Sequence, residues 1–291
     1  MHDSHGREPR AASESVQDAA AIALPVTSHG TTVWRNWSVT SAAGLPLTGE
    51  RTVPGIAREG YWFARHEAVY RWAADTLTAT VGPGDVLVDA GCGEGYGADF
   101  LGQALGALAV GLDYDEITAA HVRAAHPAVA AIRANLAAFP LASDSCAAVI
   151  SLQVIEHLWD LAGFLAECRR VLAPNAALIV STPNRPVFSP GLARSEKPTN
   201  PFHVEEFDAE QVWGMLDHAG FRQVEVLGLH HGARLQRWEA QFGPIVAAQV
   251  EAALSDHWPE ELEAFVAGVR AGDFEFGDAD GAADLIGIGW R

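Results

Sequence analysis

Two short stretches carry side chains able to do chemistry. Ser151–Leu158 (S-L-Q-V-I-E-H-L) brings a glutamine, a glutamate and a histidine close together. An imidazole with an unperturbed pKa of about 6.5 is suited to proton transfer near neutrality. His157 is therefore the candidate general base for a hydroxyl nucleophile, and Glu156 is placed to orient it or share its proton. In Val86–Gly97 (V-L-V-D-A-G-C-G-E-G-Y-G) an apolar run ends in Asp89, and Gly91, Gly93 and Gly95 follow at every second position. Glycines there let the backbone turn tightly and come close to a ligand. A helix starting near Tyr96 leaves its N-terminal amides facing that ligand. About 20 residues beyond the glycines, Asp113 is placed to take two ribose hydroxyls, its two oxygens suiting a vicinal diol. Tyr114 beside it can stack on a base. The pattern describes a pocket for a nucleotide-like cofactor next to a proton-transfer centre.

The elements that must position these groups alternate between strand and helix. Val86–Val88 suits a strand buried on both faces of a parallel sheet. Tyr96–Gly106 reads as a helix and Ala107–Leu112 as a second strand delivering Asp113. Ile117–Ala125 is a helix stopped by His126-Pro127, and Val129–Arg133 a third strand. Cys146–Ser151 is a fourth strand, so Gln153, Glu156 and His157 lie beyond its carboxyl end, where open α/β sheets bind ligands. A helix from Leu158 repeats Leu161, Leu165, Cys168 and Leu172 at helical spacing. Ala176–Val180 is a fifth strand, followed by a long proline-rich loop to His203. Asp208–Ala219 is a helix capped by Asp208, Phe221–Leu229 a sixth strand and Ala283–Trp290 a seventh. Upstream, Glu59–Thr80 is a covering helix with Trp62, Val69, Trp72 and Thr76 on one face. Thr31–Thr40 is a strand or hairpin arm whose Trp34 and Trp37 pack on the domain. The chain thus divides into a flexible tail (1–30), an arm with covering helix (31–80), a cofactor-binding core (81–229), a helical insertion (230–281) and a closing strand (282–291). The insertion reads equally as a lid over the acceptor or as a homodimer surface. His230 and His231 face opposite ways and stay structural or form part of the acceptor wall.

Composition narrows the partners. The 291-residue chain is 49% apolar with a formal net charge of −18. It is long enough to bury a full core and has no apolar run of membrane length, which describes a soluble protein without a membrane partner. Binding to nucleic-acid phosphates needs clustered Lys and Arg, so the acidic balance argues against nucleic acid; solubility alone also accounts for the charge. Cys92, Cys146 and Cys168 lack C-x-x-C spacing and read as reduced small hydrophobes of a cytoplasmic protein. The apolar patch Ala19–Val26 is too short for a secretory signal.

The dinucleotide fingerprint G-x-G-x-x-G/A fails here, because its sixth position is Tyr96, which weakens an NAD-dependent oxidoreductase reading. Asp89-x-Gly91-x-Gly93-x-Gly95 instead resembles motif I of class I S-adenosylmethionine-dependent methyltransferases. That resemblance implies an α/β, Rossmann-like seven-stranded sheet closed by an antiparallel hairpin, with S-adenosylmethionine held by Asp89, Gly91, Gly93, Asp113, Tyr114 and Gln153. Methyltransferases of this type carry Asp-x-x-x-x-Pro after the third strand, the acid accepting from the adenine amino group. Asn135 stands there in this chain, followed by Leu136, and its side-chain carbonyl can accept the same bond with less charge. G-E-R-T-V-P-G (Gly49–Gly55) followed by Y-W-F-A-R-H-E (Tyr61–Glu67) is similar to actinobacterial methyltransferases that modify sugars and related natural products. By that similarity Tyr61 and His66 contact the cofactor carboxylate. The acceptor is then a hydroxyl of a small polar metabolite, a sugar or aminocyclitol, in polysaccharide or antibiotic biosynthesis. Relatives acting on ubiquinone precursors or small-RNA ends carry Glu-x-x-Glu-His with a later histidine and bind a divalent metal. Gln153, Glu156, His157 and His203 match that pattern less one carboxylate, and two histidines favour Zn, Mn or Fe over Mg. The metal stays open beside the base reading. So do N-methylation of an aminosugar or antibiotic amine, to which an acidic surface is attractive, and a cofactor-binding protein without catalysis.

Overall fold

The computed structural model describes residues 21–28, 31–38, 52–255 and 257–291. Ala21–Ser28 (β1) and Thr31–Ser38 (β2) pair as an antiparallel hairpin. The arm expected at Thr31–Thr40 is therefore one half of a hairpin whose other half comes from the stretch expected to be tail. The rest of that tail, and the Gly49-Glu50-Arg51 part of the motif phrase, lie outside the described residues. The main body runs α1 (Gly60–Leu77), β3 (Val86–Ala90), α2 (Tyr96–Leu105), β4 (Leu108–Asp113), α3 (Glu116–Ala125), β5 (Ala130–Arg133), β6 (Cys146–Leu152), α4 (Leu161–Val171), β7 (Leu172–Pro183) and a short α5 (Arg185–Phe188). It continues with α6 (Ala209–His218), β8 (Arg222–His231), α7 (Ala233–Phe242), α8 (Ile245–Ser255), α9 (Glu260–Ala267), β9 (Phe274–Gly277) and β10 (Asp284–Trp290).

Eight of these strands form one sheet in the order β5-β4-β3-β6-β7-β10-β8-β9. The pairs β5-β4, β4-β3, β3-β6 and β6-β7 are parallel, whereas β10 runs antiparallel between β7 and β8. The Rossmann-like architecture and the antiparallel closing strand agree with expectation. The count differs by one, because β9, inside the stretch expected to be wholly helical, adds an antiparallel edge to β8. Its F-E-F-G sequence is too short to show a period.

Burial on both faces explains why the central strands read as unbroken apolar runs. Successive side chains of a strand point to opposite faces, and two cores result. Leu87, Ile150 and Ile179 join α1, α2 and the insertion helices on one side. Val88, Val149, Leu178 and Val180 meet Phe164 of α4 and Val212 and Leu216 of α6 on the other. Along α1 the buried line runs through Tyr61, Ala64, Arg65, Ala68, Val69 and Ala73. This corrects the face expected through Trp62, Trp72 and Thr76, which are only partly buried. Helix α6 starts in a full capping box, Asp208 accepting from Gln211 N–H and the Gln211 side chain accepting from Asp208 N–H. The helix expected from Leu158 starts later: Asp160 caps it, and Ile155–His157 form a single 3-10 turn before it. That turn leaves His157 on a connection beyond the sheet.

Candidate active site

The loop from β3 to α2 sets the floor of the site. Gly91, Gly93 and Gly95 all have positive φ (83°, 49° and 83°), a region in which side chains are strained. Gly97 solves a different problem, since a Cβ there would sit 2.0 Å from the Tyr70 ring of α1. That close approach lets the Tyr70 hydroxyl donate to both carboxylate oxygens of Asp89, at 3.0 and 3.3 Å. Asp113, at the end of β4, reaches back across the turn. Its Oδ2 accepts from Gly93 N–H at 3.1 Å and its Oδ1 from Asp115 N–H at 3.0 Å. A carboxylate oxygen can accept more than one hydrogen bond, as contact with a diol requires.

A cavity of about 230 Å³ opens above this turn, lined by Thr52, His66, Tyr70, the Gly91–Glu94 backbone, Tyr96, Asp113, Leu152–Val154 and His157. Six of the residues expected from sequence thus line one cavity: His66, Gly91, Gly93, Asp113, Gln153 and His157. His66 is bonded to the Tyr96 hydroxyl at 3.0 Å, and burial, reinforced by the Arg65 charge, lowers its pKa to about 3. The cavity is thus lined there by a neutral ring, not a cation.

Gln153 holds an uncommon left-handed backbone (φ 55°). Its Oε1 accepts from Arg65 Nη2 at 3.1 Å, and its Nε2 donates to Ser181 Oγ at 3.2 Å and Asp284 Oδ1 at 3.3 Å. Arg65 and Asp284 themselves form a bidentate ion pair, their side chains 4% and 1% exposed. Beside it, Glu156 is buried and accepts from Thr182 Oγ1 at 3.1 Å. Burial, with Asp284 adding to it, pushes the Glu156 carboxyl up to about 8.

The two histidines meet. His157 Nδ1 donates to the Phe202 carbonyl at 3.1 Å, which makes Nε2 the basic nitrogen of the neutral ring. The His203 ring centroid lies 5.0 Å from that of His157. His203 Nδ1 is held by Glu206 at 2.7 Å, and its Nε2 faces Asn200 Nδ2 at 3.0 Å. Ligand atoms of Glu156, His157 and His203 all lie within 4.8 Å of one another. The long loop that carries His203 is ordered by buried side chains. Arg185 donates to the carbonyls of Ala193 and Glu196, and Ser189 donates to Glu206 at 2.6 Å.

Other expected residues are placed away from the cavity wall. Tyr61 is fully buried in the core, bonded to His231 at 2.7 Å and packed against Trp62 and Phe274, so it does not face a cofactor carboxylate. Its long apolar helix turn drew it inward. Asp89 lies beneath the glycine turn, fully buried, and braces it. Tyr114 is 71% exposed under the Arg133 guanidinium. Asn135 is exposed, its Oδ1 taken by Ala137 N–H at 2.9 Å, and Leu136 belongs to the core. His230 and His231 do face opposite ways, to the Asp278 carbonyl and to Tyr61 with Glu239. The insertion helices bury Leu235, Trp238, Ile245, Leu262 and Val266 in the core that includes α1; no described residue of theirs lines the cavity.

Sequence reading missed Tyr70, Tyr96 and Asp284. The spacing of His66 and Tyr70, one helical turn apart just before β3, was a usable signal for the first. Tyr96 reads in the sequence as a helix start and as the residue that breaks the dinucleotide fingerprint, not as a cavity-lining side chain.

Burial raises the Asp89 carboxyl from 3.8 to about 7, with the Tyr70 hydrogen bond opposing and Asp113 adding to the rise. The folded protein therefore keeps a proton that the unfolded chain releases near pH 4, and this stabilisation is lost as pH rises toward about 7. Asp89→Asn, neutral throughout, is expected to flatten the fall in melting temperature between pH 4.5 and 7.5. Parallel melting curves against pH in the two proteins would refute the assignment.

Three comparisons bear on this arrangement. A family model described as a methyltransferase domain matches residues 88–180. A "Probable S-adenosylmethionine-dependent methyltransferase" of Mycolicibacterium smegmatis is 48% identical over 86% of this chain and 96% of its own length. A ubiquinone biosynthesis O-methyltransferase of Rhizobium johnstonii is 25% identical over 65% of this chain and 69% of its own. Among solved structures, a methyltransferase of Thermotoga maritima superposes with a TM-score of 0.52 at 15% identity, over 79% of this chain and 93% of that one, which speaks for the fold.

Proposed function

The chain belongs to the S-adenosylmethionine-dependent methyltransferases, and from that premise we propose that it methylates a hydroxyl of a small polar metabolite, a sugar or aminocyclitol. The supporting observation is the placement of His157. Its basic Nε2 is defined by the Phe202 carbonyl on Nδ1, and its ring shares a cavity wall with the glycine turn and Asp113. Methyl transfer is an in-line substitution at the sulfonium carbon, so the acceptor oxygen must be aligned and its proton removed. In this reading Gly91, Gly93 and Asp113 hold the cofactor, Gln153 borders the reacting carbon, and His157 takes the hydroxyl proton. The relative that bears an O-methyltransferase name agrees with an oxygen acceptor.

Glu156, His157 and His203 also fit a divalent cation. Both histidines have Nδ1 engaged by an acceptor, which fixes the rings; at His203 the Asn200 amide, 3.0 Å from Nε2, would have to turn aside for a metal. A bound ion would polarise the acceptor oxygen and assist loss of its proton. Exhaustive chelation followed by metal analysis decides: full activity with no stoichiometric ion excludes the metal.

The reading as a whole is tested by incubating the protein with methyl-labelled S-adenosylmethionine and a panel of glycosides, aminocyclitols and aminosugars. The expected product is an O-methyl ether, located by mass spectrometry. N-methyl products alone would replace it with the amine reading, which the net charge of −18 favours.

A further inference from the structure

Two exposed aromatic residues flank His157. Trp159 is 90% exposed and Phe202 60% exposed, although large aromatics are ordinarily buried over most of their surface. Leu158 between His157 and Trp159 is extended (φ −85°, ψ 125°) and packs on the core beneath α4. Trp159 is two residues beyond His157, the last residue of the 3-10 turn. Their Cα atoms are within about 7 Å of each other. Phe202 stands across from them, its carbonyl 3.1 Å from His157 Nδ1.

Both aromatics sit on braced backbone. Asp160 caps α4 through Gly163 N–H at 2.8 Å, and Phe202 N–H donates to Asn200 Oδ1 at 3.0 Å. Both are exposed and stand next to the candidate base, itself on the cavity wall, which makes them the candidate platform for a ligand reaching out of that cavity. An aromatic face is electron-rich, and the matching ligand surface is a ring face covered with polarised C–H groups, as in a pyranose. The cavity wall beside it is polar, with Thr52, Gln153 and His157, which suits the hydroxyls at the rim of such a ring.

Resting on the hydroxyl-acceptor reading, we propose that Trp159 and Phe202 hold a second sugar ring, so that the acceptor is a glycan of at least two residues. The ring bearing the nucleophilic hydroxyl lies at His157, and its neighbour stacks on Trp159. The test compares a panel of methyl hexopyranosides with the matching methyl disaccharides, and includes catechol as an aromatic acceptor. Trp159→Ala is expected to raise KM for the disaccharide about tenfold (about 1.4 kcal/mol). Its kcat, its KM for the monosaccharide and its thermal shift with S-adenosylhomocysteine stay unchanged, and Trp159→Phe recovers most of the loss. A disaccharide KM within twofold of wild type overturns the platform while leaving methyl transfer to glycosides intact. A rise confined to catechol assigns the platform to an aromatic acceptor and also overturns it. A wild-type protein inactive on every glycoside removes both the platform and the hydroxyl reading.

Discussion

Replacing His157 by alanine is expected to lower kcat on a hydroxyl acceptor by about 10²- to 10⁴-fold, the range a positioned general base supplies. The geometry separates this loss from loss of cofactor. The turn glycines and Asp113 belong to β3, β4 and their connection, whereas His157 sits on the 3-10 turn after β6. S-adenosylhomocysteine should therefore stabilise His157→Ala as much as wild type, about 2.7 kcal/mol at a hundredfold excess over its dissociation constant. With an amine acceptor delivered unprotonated, the same variant should lose little. A variant that binds the product normally and turns over a hydroxyl acceptor at the wild-type rate would remove His157 from the chemistry.

The second large effect is on stability. Asp284→Ala is expected to cost about 3–5 kcal/mol, because it leaves the Arg65 guanidinium charged and unmatched in a buried site. Arg65 also lies over the rings of Trp62 and Phe188, at 5.4 and 5.1 Å from their centroids, so little water can replace the lost carboxylate. Removing both charges, in Arg65→Met with Asp284→Leu, should restore much of the stability. It should not restore activity, because Gln153 loses the donor to its Oε1 and one acceptor of its Nε2. Urea unfolding together with a methyl-transfer assay on the single and double variants measures both. A single variant within 1 kcal/mol of wild type would show that the pair contributes nothing.

Local pattern made the glycine-turn side of this cavity legible. Asp89, the alternate glycines and Asp113 are set by strand ends and one tight turn, and all fall within 25 residues of sequence. Gln153 and His157 were legible for the same reason, since ligand sites lie past the carboxyl ends of parallel strands. What escaped depends on distant pairing. The family resemblance implies an antiparallel closing strand, but nothing near Asp284 says that its first residue will sit opposite Pro183, next to Arg65. Tyr61 shows the converse: its neighbours resemble a cofactor-binding phrase, yet tertiary packing turns it toward His231. The eighth strand was hidden by its brevity and by the helices around it.

The buried ion pair also has a history within each molecule. Arg65 leaves the ribosome 219 residues before Asp284, at synthesis rates of about 5–20 residues per second. For about ten seconds or more a nascent chain carries the guanidinium, the glycine turn and Asp113 without the carboxylate that neutralises the site. The glycine turn is thus translated long before the cavity above it can close. Any chain released in that interval holds the glycine turn and Asp113 but not the counter-charge to Arg65, and such an incomplete chain is a ready substrate for chaperones and proteases.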